Sequence, residues 1–166
     1  MQQIIKSNKI TDDLTAVLNS TNYDKLFILT DEHTDSKCYP LISSIPAVQK
    51  ANQVTIPSND SNKTLENLTH VWSFLTTNGA TRHSLLINLG GGMITDLGGF
   101  AAATFKRGIA YINIPTTLLG SVDASVGGKT GINFGGYKNE IGAFHSALHV
   151  IISAEFLNTL TQKDIL

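Results

Sequence analysis

The apolar run Leu85-Leu86-Ile87-Asn88-Leu89 ends directly in the triplet Gly90-Gly91-Gly92. A run this short and this apolar reads as a strand covered on both faces, which belongs to a parallel sheet. Glycine at its end permits close approach of backbone to a ligand, at an entropic cost. Thirteen of the 14 glycines lie between Gly90 and Gly142, so the functional part of the chain is sought there. Between the glycine clusters stand the polar groups able to do chemistry: Asp96, Arg107, Thr116, Thr117, Asp123, Lys129 and Lys138.

Further strands are expected at Leu26–Thr30, Val54–Ile56, Ala110–Ile114 and His149–Ile152. From Thr64, apolar residues at Leu65, Leu68, Val71, Trp72 and Leu75 recur three and four apart, the signature of one helix face. Asn78-Gly79 should stop that helix. Leu97 to Phe105 is expected to be helical, and Thr116 to open another helix after Pro115. Residues 127–142 read as a long ordered loop, a kind of segment usually kept for function. Strands alternating with helices imply an α/β fold with a parallel sheet flanked by helices. The chain ends in a helix start, Lys163-Asp164-Ile165-Leu166, and reads as cut from something longer.

Composition narrows the class. At 166 residues the chain suits one α/β domain and is short for two. A net charge of −1 argues against nucleic acid or an anionic membrane surface as partner. The single cysteine, Cys38, excludes an internal disulfide and suits a reducing cytoplasm. No apolar run reaches the roughly 18 residues of a membrane span, and the N-terminus lacks a secretory pattern.

A strand, a glycine triplet and a helix in series form a phosphate cradle, because free N–H groups at a helix start meet negative charge. Asn88 to Asp96 has that context without the standard G-x-G-x-x-G, so a structural turn stays open beside it. Asp96 is either a ribose ligand or a helix-dipole partner. Thr116 and Thr117 sit at a strand's carboxyl end, where ligands bind in open α/β sheets, or serve as an ordinary cap. Gly128-Lys129-Thr130 looks like the end of a P-loop but lacks the upstream glycine, which argues against a nucleoside triphosphatase. His145 and His149 are four apart, but His149 reads as strand, so a metal pair is disfavoured. His33, His70 and His83 are expected at the surface, and Glu32 with Asp35 at a solvated helix start.

In series, Gly90 to Phe100, Phe105 to Gly108, Ile114 to Leu119, Val122 to Asn133 and Lys138 to Phe144 resemble the N-terminal domain of 3-dehydroquinate synthase, a sugar-phosphate cyclase. The resemblance is dense from Leu86 to Thr159 and collinear before it. It implies a Rossmann-like, dinucleotide-binding fold and a shikimate-pathway enzyme that converts a seven-carbon keto-acid phosphate (DAHP) to 3-dehydroquinate and phosphate. NAD would transiently oxidise C5 of the substrate and so acidify the proton at C6. The resemblance also implies a homodimer, and a zinc or cobalt site on a helical C-terminal domain absent from this chain. It assigns no metal ligand here and implies that this segment alone is inactive.

By position, the resemblance assigns NAD contacts to Asp31, Asp60, Lys63, Gly91, Gly92, Met93, Ile94, Thr95, Asp96, Thr116, Thr117, Lys129 and Lys138, and to Phe156, Leu157, Asn158 and Thr159. Asp123, Lys129 and Asn139 match positions where nicotinamide meets substrate. Arg107 matches an arginine that reaches the substrate from the partner subunit. Three departures stand out: Asn59-Asp60 for Gly-Glu, His33 for Asn, and Thr95 for Gly. A polyol dehydrogenase of the same superfamily is disfavoured by the block from Asp123 to Asn133. Another sugar-phosphate cyclase and a stand-alone NAD-binding module remain the alternatives.

Overall fold

A computed structural model of the chain describes residues 2–117 and 126–159, and the side chains among them up to residue 156. A parallel six-stranded sheet runs in the order β1 (Gln3–Ser7), β8 (His149–Ser153), β5 (Ala110–Pro115), β4 (Leu85–Gly90), β2 (Leu26–Asp31), β3 (Asn52–Ile56). Helices α1 (Ile10–Ser20), α2 (Glu32–Lys37), α3 (Pro46–Gln49), α4 (Leu65–Thr77) and α5 (Gly92–Thr104) join these strands. Two more strands, β6 (Lys129–Phe134) and β7 (Tyr137–Phe144), form a separate antiparallel hairpin. The α/β class expected from the sequence holds.

Alternation along the strands sorts the core into two layers. Phe27 and Leu29 of β2 join Leu86 and Tyr111 under α4 and α5. Ile28, Leu85, Ile87, Leu89, Ile112 and Ile114 face the other way, toward α1 and the α2–α3 segment. Of the apolar face expected in α4, Leu68, Val71 and Leu75 are fully buried and Trp72 partly, while Leu65 is exposed. The Thr64 hydroxyl caps the helix start by accepting from the Asn67 N–H, and Gly79 follows the Asn78 C-cap at φ +74°.

Strand order places the site. From β2 the chain moves outward to β3, and from β4 it moves the opposite way to β5. The crevice outside the carboxyl ends of β2 and β4 is therefore the switch point where α/β sheets bind ligands. Asp31 ends β2, and Gly90 ends β4.

The expected long loop at 127–142 is instead the β6–β7 hairpin. Its glycines mark close strand contact. Gly131 pairs with Gly142, and a Cβ on Gly142 would lie 2.0 Å from the Thr130 carbonyl. Helix α5 starts at Gly92, five residues before Leu97. Thr116 and Thr117 are not helical; the rest of the helix expected to open at Thr116 falls outside the described residues, as does the helix start at 163–166. Strand β1 and helix α1 were not anticipated.

Helix α5 packs on the sheet at Gly98, where a Cβ would meet the Asn88 side-chain oxygen at 1.9 Å. Asn88 is fully buried and donates to Asn113 Oδ1 at 3.1 Å, so it has little room to yield. Gly98→Ala should therefore destabilise the domain by about 2 kcal/mol, lowering the melting temperature by about 4–8 °C. A thermal melt unchanged by this substitution would show that the helix can shift outward without cost.

Candidate functional site

The first turn of α5 presents backbone donors to the crevice. The Thr95 N–H bonds the Gly91 carbonyl at 3.0 Å, and Gly91, at the N-cap, has no side chain with which to cap the turn. The N–H groups of Gly92, Met93 and Ile94 have no partner within the helix. A Cβ on Gly92 would meet nothing within 4 Å, whereas on Gly91 it would approach the Thr117 methyl at 3.1 Å. A helix start beneath an open glycine suits an anion by geometry and by dipole. Met93, Ile94 and Thr95 bury their side chains and can offer a ligand only backbone.

The flanking assignments divide. Asp31 is at the switch point, but its Oδ1 accepts from the Thr34 N–H at 2.8 Å and from the Ser58 hydroxyl at 3.3 Å. The buried Thr116 donates its N–H to the Gly90 carbonyl at 3.0 Å, tying β5 to the cradle. The Phe156 ring is fully buried in the core against α1, so this residue, like Met93 and Ile94, can offer a ligand only backbone. Asp123 lies outside the described residues, as do the side chains of Leu157, Asn158 and Thr159.

Lys63 joins the cradle to the hairpin. It is only 3 % exposed, yet its Nζ donates to Asp96 Oδ2 at 2.9 Å and Asn139 Oδ1 at 2.6 Å, with Asp60 at 3.4 Å. One buried cation thus connects three residues, Asp60, Asp96 and Asn139. Beside it opens a cleft of about 590 Å³, lined by Asp96, Lys129, Thr130, Asn139, Phe144 and the hairpin glycines. Lys129 is exposed at the start of β6, and Lys138 is exposed on β7.

Burial pushes the Asp96 carboxyl above its usual range, and the Lys63 ammonium pulls it part of the way back. Folded Asp96 therefore holds its proton more tightly than the unfolded chain does. Its contribution to stability is present below the ordinary value of 3.8 and is lost as pH rises through the raised one. Asp96→Asn removes that dependence. Relative to the parent, the variant should gain stability as pH climbs from 3.8, as read by urea unfolding at several pH values. A difference that stays flat would show that the carboxyl is not shifted.

Tyr111 lies beneath the hairpin, its hydroxyl donating to the His145 carbonyl and its ring stacked 5.3 Å from the His145 ring. Burial, with the Asp96 charge adding to it, pushes this phenol up to about 12, so it acts as a donor. His145 is thus a packing residue. Among the described residues no three His, Cys, Asp or Glu side chains cluster as a metal site. His33, His70 and His83 are exposed, and Glu32 and Asp35 lie in the first turn of α2.

Arg107 does not line the cleft. It is exposed beyond the far end of α5, a helix of 13 residues and therefore about 20 Å long. Among the described residues, the non-glycine residues with positive φ are Asn59, Lys106, Arg107 and Asn139. Such backbone concentrates at working sites. The departure at Asn59 falls at φ +83°, a conformation that glycine adopts more easily. Two contributors escaped the sequence reading: Thr130, which lines the cleft, and Asn133, which holds Asn139.

The sequence profile of the 3-dehydroquinate synthase N-terminal domain matches residues 53–166. The chain belongs to the 3-dehydroquinate synthase family. It is 54% identical over 165 residues to 3-dehydroquinate synthase of Parabacteroides distasonis, covering 99% of this chain and 47% of that protein. The Pyrococcus abyssi 3-dehydroquinate synthase is 42% identical over 153 residues, or 92% of this chain and 46% of that protein. The chain spans about half the length of these curated relatives. Among solved structures it is similar to the 2-epi-5-epi-valiolone synthase ValA of Streptomyces hygroscopicus subsp. jinggangensis 5008, which has NAD+ and Zn2+ bound. That likeness has a TM-score of 0.87 at 28% identity and covers 99% of this chain and 46% of ValA. The family's fold thus accounts for the sheet and cradle described above. No helix among the described residues is long and apolar enough to cross a membrane.

Proposed function

We propose that this chain is the NAD-binding half of a 3-dehydroquinate synthase that converts DAHP to 3-dehydroquinate and phosphate. The observation that carries the reading is the start of α5 beneath open Gly92, at the switch point between β2 and β4. Backbone N–H groups of Gly92, Met93 and Ile94 receive the dinucleotide pyrophosphate, with Gly91, Thr95, Thr116 and Thr117 shaping its seat. Asp31 and Asp60 face the ribose side, and residues 157–159 follow from the family resemblance alone. Bound there, NAD supplies a reversible acceptor for hydride from a substrate hydroxyl.

This chain's own residues hold and orient. Lys63 fixes Asp96 and Asn139 in one arrangement, so the cleft is formed before ligand arrives. Lys129, helped by Lys138, draws an anionic sugar acid phosphate into the cleft, and its attraction grows as water leaves. Asp123 completes the set by its place in the family motif. Arg107, exposed and outside the lining of its own cleft, serves that of a second copy, in a homodimer. The zinc or cobalt that the family resemblance implies finds no donor cluster among the described residues, and no step is routed through it. A cytoplasmic setting agrees with one lone cysteine, Cys38, in the core.

Titration calorimetry of the protein in its full encoded length should give saturable NAD binding. With DAHP and NAD it should release inorganic phosphate. Absence of binding at millimolar NAD would overturn the cofactor reading. Binding without turnover of DAHP, but with turnover of another sugar phosphate, would move the protein to a different cyclase reaction.

A further inference from the structure

We infer that Asn133 is a positioning residue that holds Asn139 in the cleft. The inference rests on the proposed role of that cleft, and its support is the geometry of the hairpin. Ile132 pairs with Ile141 and Phe134 with Tyr137, so Asn133 alone on β6 faces Lys138, Asn139 and Glu140 on β7. The excess residues form a bulge, the usual device by which a strand re-aims a side chain. Asn139 sits in that bulge at φ +53°. Asparagine tolerates that backbone better than most residues, but something must hold it there.

The holder is Asn133. Its Oδ1 accepts from the Asn139 N–H at 3.0 Å, and its Nδ2 donates to the Asp60 carbonyl at 3.0 Å and to Asp60 Oδ2 at 3.3 Å. Its own N–H donates to the Lys63 carbonyl at 2.8 Å. Lys63 Nζ then closes the ring on Asn139 Oδ1 at 2.6 Å. Only one amide orientation fits, because the amide nitrogen faces two acceptors and the oxygen faces a donor. Aspartate keeps the acceptor for Asn139 but loses the donor and sets a second carboxylate against Asp60. Alanine loses both. The 60–63 turn and the bulge are thus registered to one another through a side chain that lines no part of the cleft, and Lys63 Nζ carries the tie on to Asp96 of α5.

The test uses the protein in its full encoded length, with Asn133→Ala and Asn133→Asp beside the parent. Hydrogen exchange by mass spectrometry reads the peptide carrying Asn139, and calorimetry reads NAD affinity. In Asn133→Ala, exchange at Asn139 should quicken about tenfold and NAD affinity fall about tenfold, the worth of one lost hydrogen bond. Asn133→Asp should keep the parental exchange at Asn139 yet still lose NAD affinity through the loosened 60–63 turn. Parental affinity in both variants overturns the inference, and so does lost affinity in Asn133→Ala with no change in exchange. If Asn133→Ala does not fold, the aspartate variant decides by the same two readings. If the parent itself binds no NAD, the functional proposal falls. Exchange at Asn139 then judges the clasp, upheld by quickening in the alanine variant and overturned without it.

Discussion

Replacing Lys129 with alanine is expected to cut turnover of the full-length enzyme by about 10²–10³-fold, the loss seen when one preorganised charge-stabilising donor is removed from a site. NAD affinity should stay within a few-fold of the parent. The two effects separate because of position. Lys129 opens β6 on the rim of the cleft shared with Asp96 and Asn139, while the cradle is the first turn of α5. No ion pair engages Lys129 among the described residues, so its charge is available to an anionic substrate. Lys106 supplies the control. It is exposed, with its ammonium 5.6 Å from the Phe105 ring centre, and Lys106→Asn keeps a residue that accepts its φ of +48°. That variant should turn over normally. Near-normal turnover in Lys129→Ala would make the residue a scaffold element and leave the cleft without its substrate cation.

The parallel sheet was legible because its central strands are buried on both faces. Leu85–Leu89 and Leu26–Thr30 therefore carry near-continuous apolar runs, interrupted only by Asn88 and Thr30. The edge strand β1 carries no such run, since Gln3, Ile4 and Lys6 face solvent. Helix α1 was readable in principle, as Ile10, Leu14, Val17 and Leu18 mark one face. The hairpin misled because glycine signals both a turn and a close strand crossing, and only the pairing of Gly131 with Gly142 separates the two. At the candidate site, Gly92 and Asp96 were singled out by the strand, glycine triplet and helix that follow one another there. The convergence of Lys63, Asp96 and Asn139 was not readable, because it joins positions 33 and 76 residues apart through one buried ammonium. Burial of the Phe156 ring was not readable either, because family position marks a residue and not which of its atoms is exposed.

Gly92→Leu should abolish useful NAD binding while leaving the fold intact. The added side chain meets nothing within 4 Å of its Cβ, and leucine in the first turn of α5 gains up to about 1 kcal/mol of helix propensity over glycine. Thermal stability should therefore hold or rise slightly. The same side chain projects into the space above the Gly92, Met93 and Ile94 N–H groups that the pyrophosphate would occupy. Losing two hydrogen bonds to a charged phosphate corresponds to an affinity drop of about 10²-fold or more. Gly90→Ala gives the opposite pattern, since its Cβ would lie 2.7 Å from that of Ile94. That overpacking costs about 1–3 kcal/mol, while the donors of the first turn stay open to ligand. One glycine should therefore lose ligand and keep stability, and its neighbour two residues earlier should lose stability and keep ligand. Parental NAD affinity in Gly92→Leu, measured by calorimetry alongside the melts, would mean that the dinucleotide is not seated on the start of α5.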